Sequence, residues 1–337
     1  MSKKVAIADL ARMANVNAST VSRALNDSPL VRPETKARIV RLAEELGYVM
    51  NVSARNLRRQ SSEVIGMVIP MRPDSGQTIS DPFYLEMVGA VSHAASKRGF
   101  DLIISVPEGG VENAQRRLLQ TGRADGLIMI GQAGRIDKLE APGALSNKTV
   151  VWGGEVKGGR QTVVGSDNKL GGKLAGDHLL GLGRRSILFI GNRKLPEVKL
   201  RYEGFCAAYE DIGLHHSPEL TLDEDFGAQS TFSDVRNFIA NGLKIDGVFA
   251  ASDVLAMSAI QALQAAGRNV PNDVSVVGYD NIGLASLLTP QLTTIDQNIR
   301  LGGELLVDVL LQKLEGKLVR TQHTPTELVI RESSIPS

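Results

Sequence analysis

Residues 5–26 have the sequence VAIADLARMANVNASTVSRALN, and this stretch decides the fold of the first part of the chain. Apolar side chains recur in it at helical spacing, first at Ile7, Leu10, Ala11 and Ala14 and then at Val21, Ala24 and Leu25. Only residues 15–17 separate the two predicted helices, so the turn between them is tight. Asn15 can adopt the left-handed backbone that such a turn demands, and Asn17 can cap the second helix. The stretch therefore predicts a helix-turn-helix unit.

A third helix and a surplus of positive charge follow this unit. Residues 33–46 are predicted to be helical because Pro33 suits an early helical position and Gly47 ends the apolar pattern. Residues 1–60 contain eleven Lys and Arg against five Asp and Glu, a net charge of +6, whereas the rest of the chain carries −5. A basic, all-α head on a mildly acidic body indicates a module that binds a polyanion.

From residue 64 onward, short apolar strands alternate with amphipathic helices. Strands are predicted over residues 64–70, 102–106, 126–130, 149–152, 187–190, 247–250 and 274–279. Helices are predicted over residues 83–98, 113–121, 170–182, 199–212, 232–241, 254–266 and 301–315. This alternation predicts parallel sheets covered on both faces. Residues 124–128 (ADGLI) and 245–249 (IDGVF) nearly repeat one another, which indicates two similar α/β halves.

Composition excludes several classes of protein. With 337 residues, 42% of them hydrophobic, the chain has the profile of a globular protein of two or three domains. A single Cys, Cys206, excludes a disulfide scaffold and fits a reducing compartment. The apolar runs fall far short of the roughly 18 residues that span a membrane. Asp9 and Arg12 interrupt any apolar signal segment, so we expect a cytoplasmic protein with no membrane partner.

Short motifs occur in order along the whole chain. The head and linker contain VAIADLA at 5–11, TVSRALN at 20–26, AEELGY at 43–48 and ARNL at 54–57. The body contains DPFY at 81–84, SD at 252–253, VVGYD at 276–280, LTTI at 292–295 and ELVIRESS at 327–334. Together these motifs resemble the lactose-repressor (LacI) family of transcription regulators.

The resemblance implies a fold with an all-α helix-turn-helix headpiece and an α/β body like that of periplasmic binding proteins, with two parallel-sheet subdomains. The headpiece is expected at residues 1–49, a hinge helix or linker at 50–61, and the effector-binding and dimerisation domain at 62–337. Within this domain, the N-subdomain is expected at about 62–163 and 293–325, and the C-subdomain at about 164–292 and 326–337. The chain ends without the leucine heptads that make some members tetrameric, so a homodimer is expected.

The chain departs from the usual family pattern at three further positions. Asn15 stands where the family commonly has Gly, and Asn17 where it has Ser or Thr; both are physically acceptable in the turn. Met50 replaces a Pro that would restrict the hinge backbone, so we expect weaker ordering of the hinge.

The resemblance assigns operator DNA contacts to the second helix. Ala18 and Ser19 fall where family members contact bases, and Arg23 falls where an arginine binds guanine. An Arg fork can donate two hydrogen bonds to guanine, worth about 1 to 3 kcal/mol of discrimination; contact with phosphate alone is the alternative. Thr20 is expected to contact phosphate or cap the helix. The remaining residues expected at the DNA are Ser22, Asn26, Arg55, Leu57 and Arg58.

Leu57 lies among Arg55, Arg58 and Arg59 in a segment too polar to build a core. Composition alone favours a solvated linker with an incidental Leu. The resemblance instead implies a wedge that enters the minor groove while the nearby cations contact phosphates. Paired wedges require a dimer and a pseudo-palindromic operator in double-stranded DNA.

A second set of candidate residues follows the carboxyl ends of predicted strands, where ligands bind in open α/β sheets. These residues are Trp152, Glu197, Arg201, Asp253 and Asp280, and we expect them to meet in one cleft between the two halves. An aromatic plate, carboxylates and a guanidinium suit a neutral polyol such as a sugar. The resemblance adds Tyr84, Phe226, Asn281 and Gln297, while core packing remains the alternative for Trp152 and Phe226.

No catalytic site, cofactor or metal is expected. The five His are scattered without zinc spacing, and no dinucleotide-binding or phosphate-binding loop occurs. The sequence therefore predicts a repressor of carbohydrate-use genes that a small sugar or sugar-derived effector releases from DNA. One alternative is a corepressor-dependent regulator that responds to a nucleobase or a phosphoprotein. Another is a sugar-processing enzyme with a fused DNA-binding head.

Overall fold

The computed structural model describes residues 5–48, 61–71, 77–107, 110–131, 143–155 and 161–335. The chain divides into two compact units, Met1–Ser62 and Glu63–Ser337. The predicted hinge residues Arg55, Leu57 and Arg58 lie outside the described residues, so their DNA contacts stay predictions. No helix in the described ranges is long and apolar enough to cross a membrane.

The first unit contains the three predicted helices, α1 (Ile7–Met13), α2 (Ala18–Leu25) and α3 (Pro33–Glu45). Their core is built on the fully buried side chains of Leu10, Val21 and Ile39. Asn15 has the predicted left-handed backbone, with φ of 49°. Asn17 occupies the N-cap position of α2, but its side chain makes no capping hydrogen bond. Arg38 of α3 donates a hydrogen bond of 2.9 Å to the carbonyl of Ala14, which ties α3 to the end of α1.

The second unit is built from twelve described strands and seven described helices. The strands are β1 (Val64–Val68), β2 (Asp101–Ser105), β3 (Gly126–Ile130), β4 (Thr149–Trp152), β5 (Val163–Ser166), β6 (Ile187–Ile190), β7 (Thr221–Leu222), β8 (Gly247–Ala250), β9 (Ser275–Asp280), β10 (Thr293–Asp296), β11 (Gln322–Thr324) and β12 (Glu327–Val329). The helices are α4 (Pro82–Lys97), α5 (Val111–Gln115), α6 (Asn168–Gly181), α7 (Pro196–Asp211), α8 (Ala228–Ala240), α9 (Asp253–Ala265) and α10 (Ile299–Leu314). A π-helical turn, Arg116–Gln120, follows α5.

These strands form two sheets of six. Their orders are β11-β5-β4-β3-β1-β2 and β12-β10-β9-β8-β6-β7. Each neighbouring pair is parallel except β10 and β12, as the continuous apolar strands predict. The near-repeat predicted from residues 124–128 and 245–249 is confirmed, because β3 and β8 hold the same position in their sheets.

The crossings of the chain between the sheets differ slightly from the predicted subdomain boundaries. β5 extends the first sheet to Ser166, three residues past the expected limit. Residues 293–296, expected in the N-subdomain, form β10 of the second sheet, because they pair in parallel with β9. The second and third crossings therefore follow β10 and β11.

Helices α6 and α7 lie unusually close together. A Cβ at Gly172 would overlap the carbonyl oxygen of Arg201, and a Cβ at Gly204 would overlap that of Lys169. Glycine at both positions lets the two backbones touch. This approach brings the first residue of α6, Asn168, within reach of the Arg201 side chain on α7.

Candidate functional site

Three of the six DNA-contact residues predicted on α2 and at its C-terminal end are exposed. Ala18, Ser19 and Arg23 are exposed, whereas Thr20, Ser22 and Asn26 are half-buried. The Asn26 side-chain amide donates a hydrogen bond of 2.6 Å to the Ser22 carbonyl and so is used locally at the helix end. The exposed face thus offers one guanidinium beside small side chains.

In the second unit, a cleft opens at the carboxyl ends of strands from both sheets. It encloses about 580 Å³ of space, part of it open to solvent. Seven of the nine residues predicted to bind an effector line it: Tyr84, Trp152, Glu197, Arg201, Phe226, Asp280 and Gln297. A cleft of this size and mixed lining suits a small polar molecule.

Arg201 is fixed by three contacts. Its Nε donates a hydrogen bond of 2.8 Å to the Asn168 side chain, and its Nη1 donates one of 2.5 Å to the Ala251 carbonyl. Its guanidinium lies over the Tyr279 ring, 3.6 Å from the centroid. The side chain is only 5% exposed, so the guanidinium is held in one place with little freedom to reorient.

A chain of hydrogen bonds leads from Tyr279 to Asp280. Ser166 Oγ donates to Gln297 Oε1 over 3.1 Å, so the Tyr279 hydroxyl, 3.0 Å away, is the group that donates to Ser166. Gln297 Nε2 then donates to Asp280 Oδ1 over 2.5 Å. These four buried side chains come from both sheets and from the segment that crosses between them. The network fixes the Asp280 carboxyl at the cleft wall.

Burial dominates the electrostatics of the cleft. It raises the pKa of Asp280 well above its ordinary value, an effect that Arg201 opposes. Burial also raises the pKa of Asp81 and that of Glu197. The positive charge of Arg201 lowers the pKa of Glu197 and so opposes this rise. The pKa of the Tyr84 phenol is raised by burial and then by Asp81, Glu197 and Asp280. The cleft therefore holds several acidic groups around one hydroxyl.

The aromatic side chains combine packing and lining. Trp152 is 4% exposed and packs against α10, where a side chain at Gly302 would overlap its ring. Phe226 is half-buried, and the Tyr84 ring meets Phe83 edge to face at 5.5 Å between centroids. Trp152 thus packs in the core and also lines the cleft.

The structure places Asp253 and Asn281 outside the cleft lining, contrary to expectation. Asp253 is fully buried and accepts hydrogen bonds from the Thr294 hydroxyl, at 2.5 Å, and the Ile282 backbone N–H, at 2.9 Å. Asn281 accepts a hydrogen bond of 2.7 Å from Arg331. Both residues follow strands as predicted, but their side chains are used to fix the β9 and β10 connections.

Nine further lining residues were not predicted: Gln77, Asp81, Phe83, Ile130, Gly131, Gly153, Ser166, Asn168 and Ser252. Ser166 and Asn168 were missed because β5 was not recognised. Their sequence, VVGSDN at 163–168, ends an apolar run in polar residues and carries the same signal as the strands that were found.

Comparisons with known proteins assign the family. The model of the lacI family of bacterial regulatory proteins matches residues 6–51, and that of the periplasmic binding protein-like domain matches residues 176–334. The HTH-type transcriptional regulator RegA of Clostridium saccharobutylicum is 32% identical over 335 residues, which cover 98% of this chain and 99% of RegA. The chain belongs to the lacI family of bacterial regulatory proteins.

Two further similarities extend along the whole chain. The ribose operon repressor of Escherichia coli K12 is 31% identical over 331 residues, covering 96% of this chain and 97% of the repressor. The solved structure of a lac repressor dimer bound to operator and the anti-inducer ONPF gives a TM-score of 0.84 at 26% identity. That match covers 99% of this chain and 100% of the other. These relatives are transcription regulators, and this chain has their helix-turn-helix head and two-sheet body.

Proposed function

We propose that this regulator represses genes for carbohydrate use by binding a pseudo-palindromic operator as a homodimer, and that a small sugar in the cleft releases it. The observation that carries the proposal is the network of Arg201, Asn168, Ser166, Gln297 and Asp280. These fixed polar groups line one side of the cleft and the Trp152 ring lines another. A sugar presents hydroxyls to such groups and its C–H face to a ring.

Specific atoms remain to bind hydroxyls. Asp280 lines the cleft and uses Oδ1 for Gln297, so we assign its Oδ2 to a ligand hydroxyl. Arg201 uses Nε for Asn168 and Nη1 for the Ala251 carbonyl, and its side chain also interacts with Tyr279; we assign its remaining N–H groups to a ligand hydroxyl. Hydrogen bonds to charged groups contribute about 1.5 to 3 kcal/mol each, so this pair alone can set the affinity of a small ligand.

The relatives support the same function. A ribose operon repressor and an operator-bound lac repressor dimer match this chain over nearly its full length. In the head, Arg23 donates to guanine and Ala18 and Ser19 contact neighbouring bases in the major groove. Thr20 and Ser22 contact phosphates. Leu57, flanked by Arg55 and Arg58, enters the minor groove between paired heads.

The homodimer has a candidate surface in the first sheet. β2 is an edge strand, and its exposed face carries Ile104, 41% exposed, followed by Val106, 40% exposed. Leu85 of the adjacent helix α4 is 54% exposed. An unpaired strand edge beside apolar side chains favours association with a second copy. Because the operator DNA of a bacterial cell lies in the cytoplasm, the proposed dimer acts there.

The test measures operator binding directly. The operator is first selected from a random duplex library with the full chain, and fluorescence anisotropy then gives its affinity with and without pentoses, hexoses, disaccharides and purines. We expect at least one sugar to weaken binding about tenfold or more. A panel in which only a purine acts, or in which the active ligand strengthens DNA binding, would contradict the sugar-released repressor.

A further inference from the structure

The cleft contains more acidic than basic side chains. Among its described lining residues, Asp81, Glu197 and Asp280 carry carboxyls, and Arg201 alone carries a permanent positive charge. No Lys or His is among these residues. Burial raises the pKa of all three carboxyls, so a positively charged ligand would favour their ionised forms and interact strongly with them where water is excluded.

The three carboxyls all line the same cleft. Each of them raises the pKa of the Tyr84 phenol, so all three lie within electrostatic range of the same hydroxyl. Tyr84 is on α4, beside the first sheet. Glu197 is on α7, and Asp280 ends β9 of the second sheet. Asp81, the N-cap of α4, therefore lies on the side of the first sheet, and Glu197 and Asp280 lie on the side of the second.

Glu197 has a carboxyl oxygen to which the described residues donate no hydrogen bond. It is the second residue of α7, and its Oε2 is buried with no hydrogen-bond partner among the described residues. An acceptor left in this state destabilises the protein, and more so if it is charged. The Glu197 carboxyl accepts a hydrogen bond from its own backbone N–H, so Oε2 is the one oxygen left without a donor. Asp81 accepts a hydrogen bond from the Phe83 N–H at 2.9 Å and Asp280 accepts one from Gln297 at 2.5 Å, and neither has a buried oxygen without a partner among the described residues.

Arg201 does not fill this gap. It lies one turn along α7 and lowers the pKa of Glu197, but Oε2 of Glu197 has no hydrogen-bond partner among the described residues. Its hydrogen bonds go to Asn168 and the Ala251 carbonyl, and its guanidinium is stacked on Tyr279. The described residues therefore supply no donor to Oε2, and a ligand in the cleft that Glu197 lines can supply one.

Resting on the proposed sugar response, we infer that the effector is a polyol that bears a protonated amine, of the amino-sugar class, and that Glu197 accepts the hydrogen bond from its ammonium group. A neutral hydroxyl would donate one hydrogen bond and leave the charge surplus. An ammonium group donates up to three hydrogen bonds and offsets a negative charge. A uronate or a sugar phosphate would add to the surplus and is excluded by it.

Calorimetric titration of the full chain with two matched sets of hexoses tests this inference. One set is D-glucose, D-glucosamine and D-glucuronate; the other is D-galactose, D-galactosamine and D-galacturonate. We expect one amine to bind about tenfold or more tightly than its neutral parent, and no uronate to bind. Glu197→Gln should remove this preference, so that the amine binds no more tightly than its neutral parent. Glu203→Gln, on the exposed side of the same helix, should titrate like wild type.

The outcomes separate the inference from the proposed function. A neutral hexose that binds as tightly as its amine and weakens operator binding would overturn the amino-sugar inference and leave the sugar-released repressor standing. A preference for the amine that survives Glu197→Gln would overturn the role of Glu197. Failure of both amines to bind would contradict the amino-sugar inference, whereas failure of every sugar in the wider operator-release panel would contradict the proposed function as well. Circular dichroism and operator affinity of Glu197→Gln verify that the variant is folded.

Discussion

Asp280 has an unfavourable backbone conformation and a buried carboxyl side chain. Its φ is 122°, and that of Asn281 is 54°, both in the region that L residues rarely adopt. Such conformations cost about 1 to 3 kcal/mol and persist where the surroundings impose them. Gln297 holds the Asp280 side chain, and Arg331 holds that of Asn281. The backbone is thus fixed so that Asp280 faces the cleft.

Replacing Asp280 should separate effector binding from DNA binding. Asp280→Asn keeps the shape but removes the charged acceptor, so we expect affinity for the releasing sugar to fall about tenfold or more. Affinity for the operator without sugar should not change, because the head is a separate compact unit. Anisotropy with labelled operator across a sugar titration measures both. Unaltered release by sugar would remove Asp280 from the effector site.

Asn15 offers a second test at the scale of one residue. Because its φ is 49°, Gly should be tolerated there, whereas Ala should destabilise the head by about 1 to 2 kcal/mol. Hydrogen–deuterium exchange of the full chain, followed in peptides from residues 5–26, reports the difference. Equal protection in Asn15→Gly and Asn15→Ala would show that the left-handed turn does not limit the stability of α1 and α2.

At the scale of elements, the α6–α7 pair positions the basic side of the cleft. Gly172 and Gly204 let the helices touch, and Asn168 then meets Arg201 across the contact. A side chain at either glycine has no room to be accommodated, since the opposing atoms belong to the backbone. The geometry of Arg201 therefore depends on residues that never contact a ligand.

Gly172→Ala should force the two helices apart. We expect a loss of about 1 to 3 kcal/mol in unfolding free energy together with weaker sugar binding. Gly181→Ala is the matched control, because this glycine ends the same helix and a Cβ there meets nothing within 4 Å. Urea unfolding monitored by circular dichroism measures both variants. Equal stability of the two would contradict the close packing of α6 on α7.

The sequence predicts the central elements well and the sheet edges poorly. Strands such as β3 and β8 are continuous apolar runs, and their bounds were predicted without error. β7, β11 and β12 have only two or three residues, and β10 (TTID) is polar, so no run of apolar residues marks them. Tertiary pairing, not local pattern, makes these segments strands.

The same limit applies to the cleft. Position after a strand correctly placed Trp152, Arg201 and Asp280 at its wall. It did not determine side-chain direction, so Asp253 was expected there but faces Thr294 instead. Glu197 was named from its position, but its unsatisfied Oε2 is visible only in three dimensions.

Asp253 also gives the stability of the body a pH dependence. Burial raises its pKa to about 7, against the hydrogen bonds donated by Thr294 and Ile282, while an unfolded Asp titrates near 3.9. The native state thus holds its proton more tightly, and the stabilisation from this group is full below about pH 4 and lost as the pH rises to about 7. We expect the unfolding free energy of wild type, relative to Asp253→Asn, to fall over that interval and level off above it. If the difference in unfolding free energy between wild type and Asp253→Asn, measured by urea unfolding, stayed constant across this pH range, the raised pKa would be contradicted.

At the scale of the whole molecule, the cleft lies where the two sheets are joined. The chain crosses between them after β5, β10 and β11, and Gln297 in the second crossing donates its hydrogen bond to Asp280 in the cleft. A further hydrogen bond of 2.6 Å joins the Gly283 N–H to Glu86 on α4. A ligand that binds these groups acts on both sheets at once, and the proposed function requires this action to change DNA binding by the head.

That coupling is the central claim, and calorimetry tests it most directly. The sugar that releases the operator is titrated into the full chain with and without saturating operator duplex. If the sugar lowers operator affinity by a given factor, operator must lower sugar affinity by the same factor, because one coupling free energy belongs to both sites. We predict weaker sugar binding in the presence of operator, by the factor measured in the anisotropy experiment. Equal sugar affinity with and without operator would contradict control of DNA binding from the cleft.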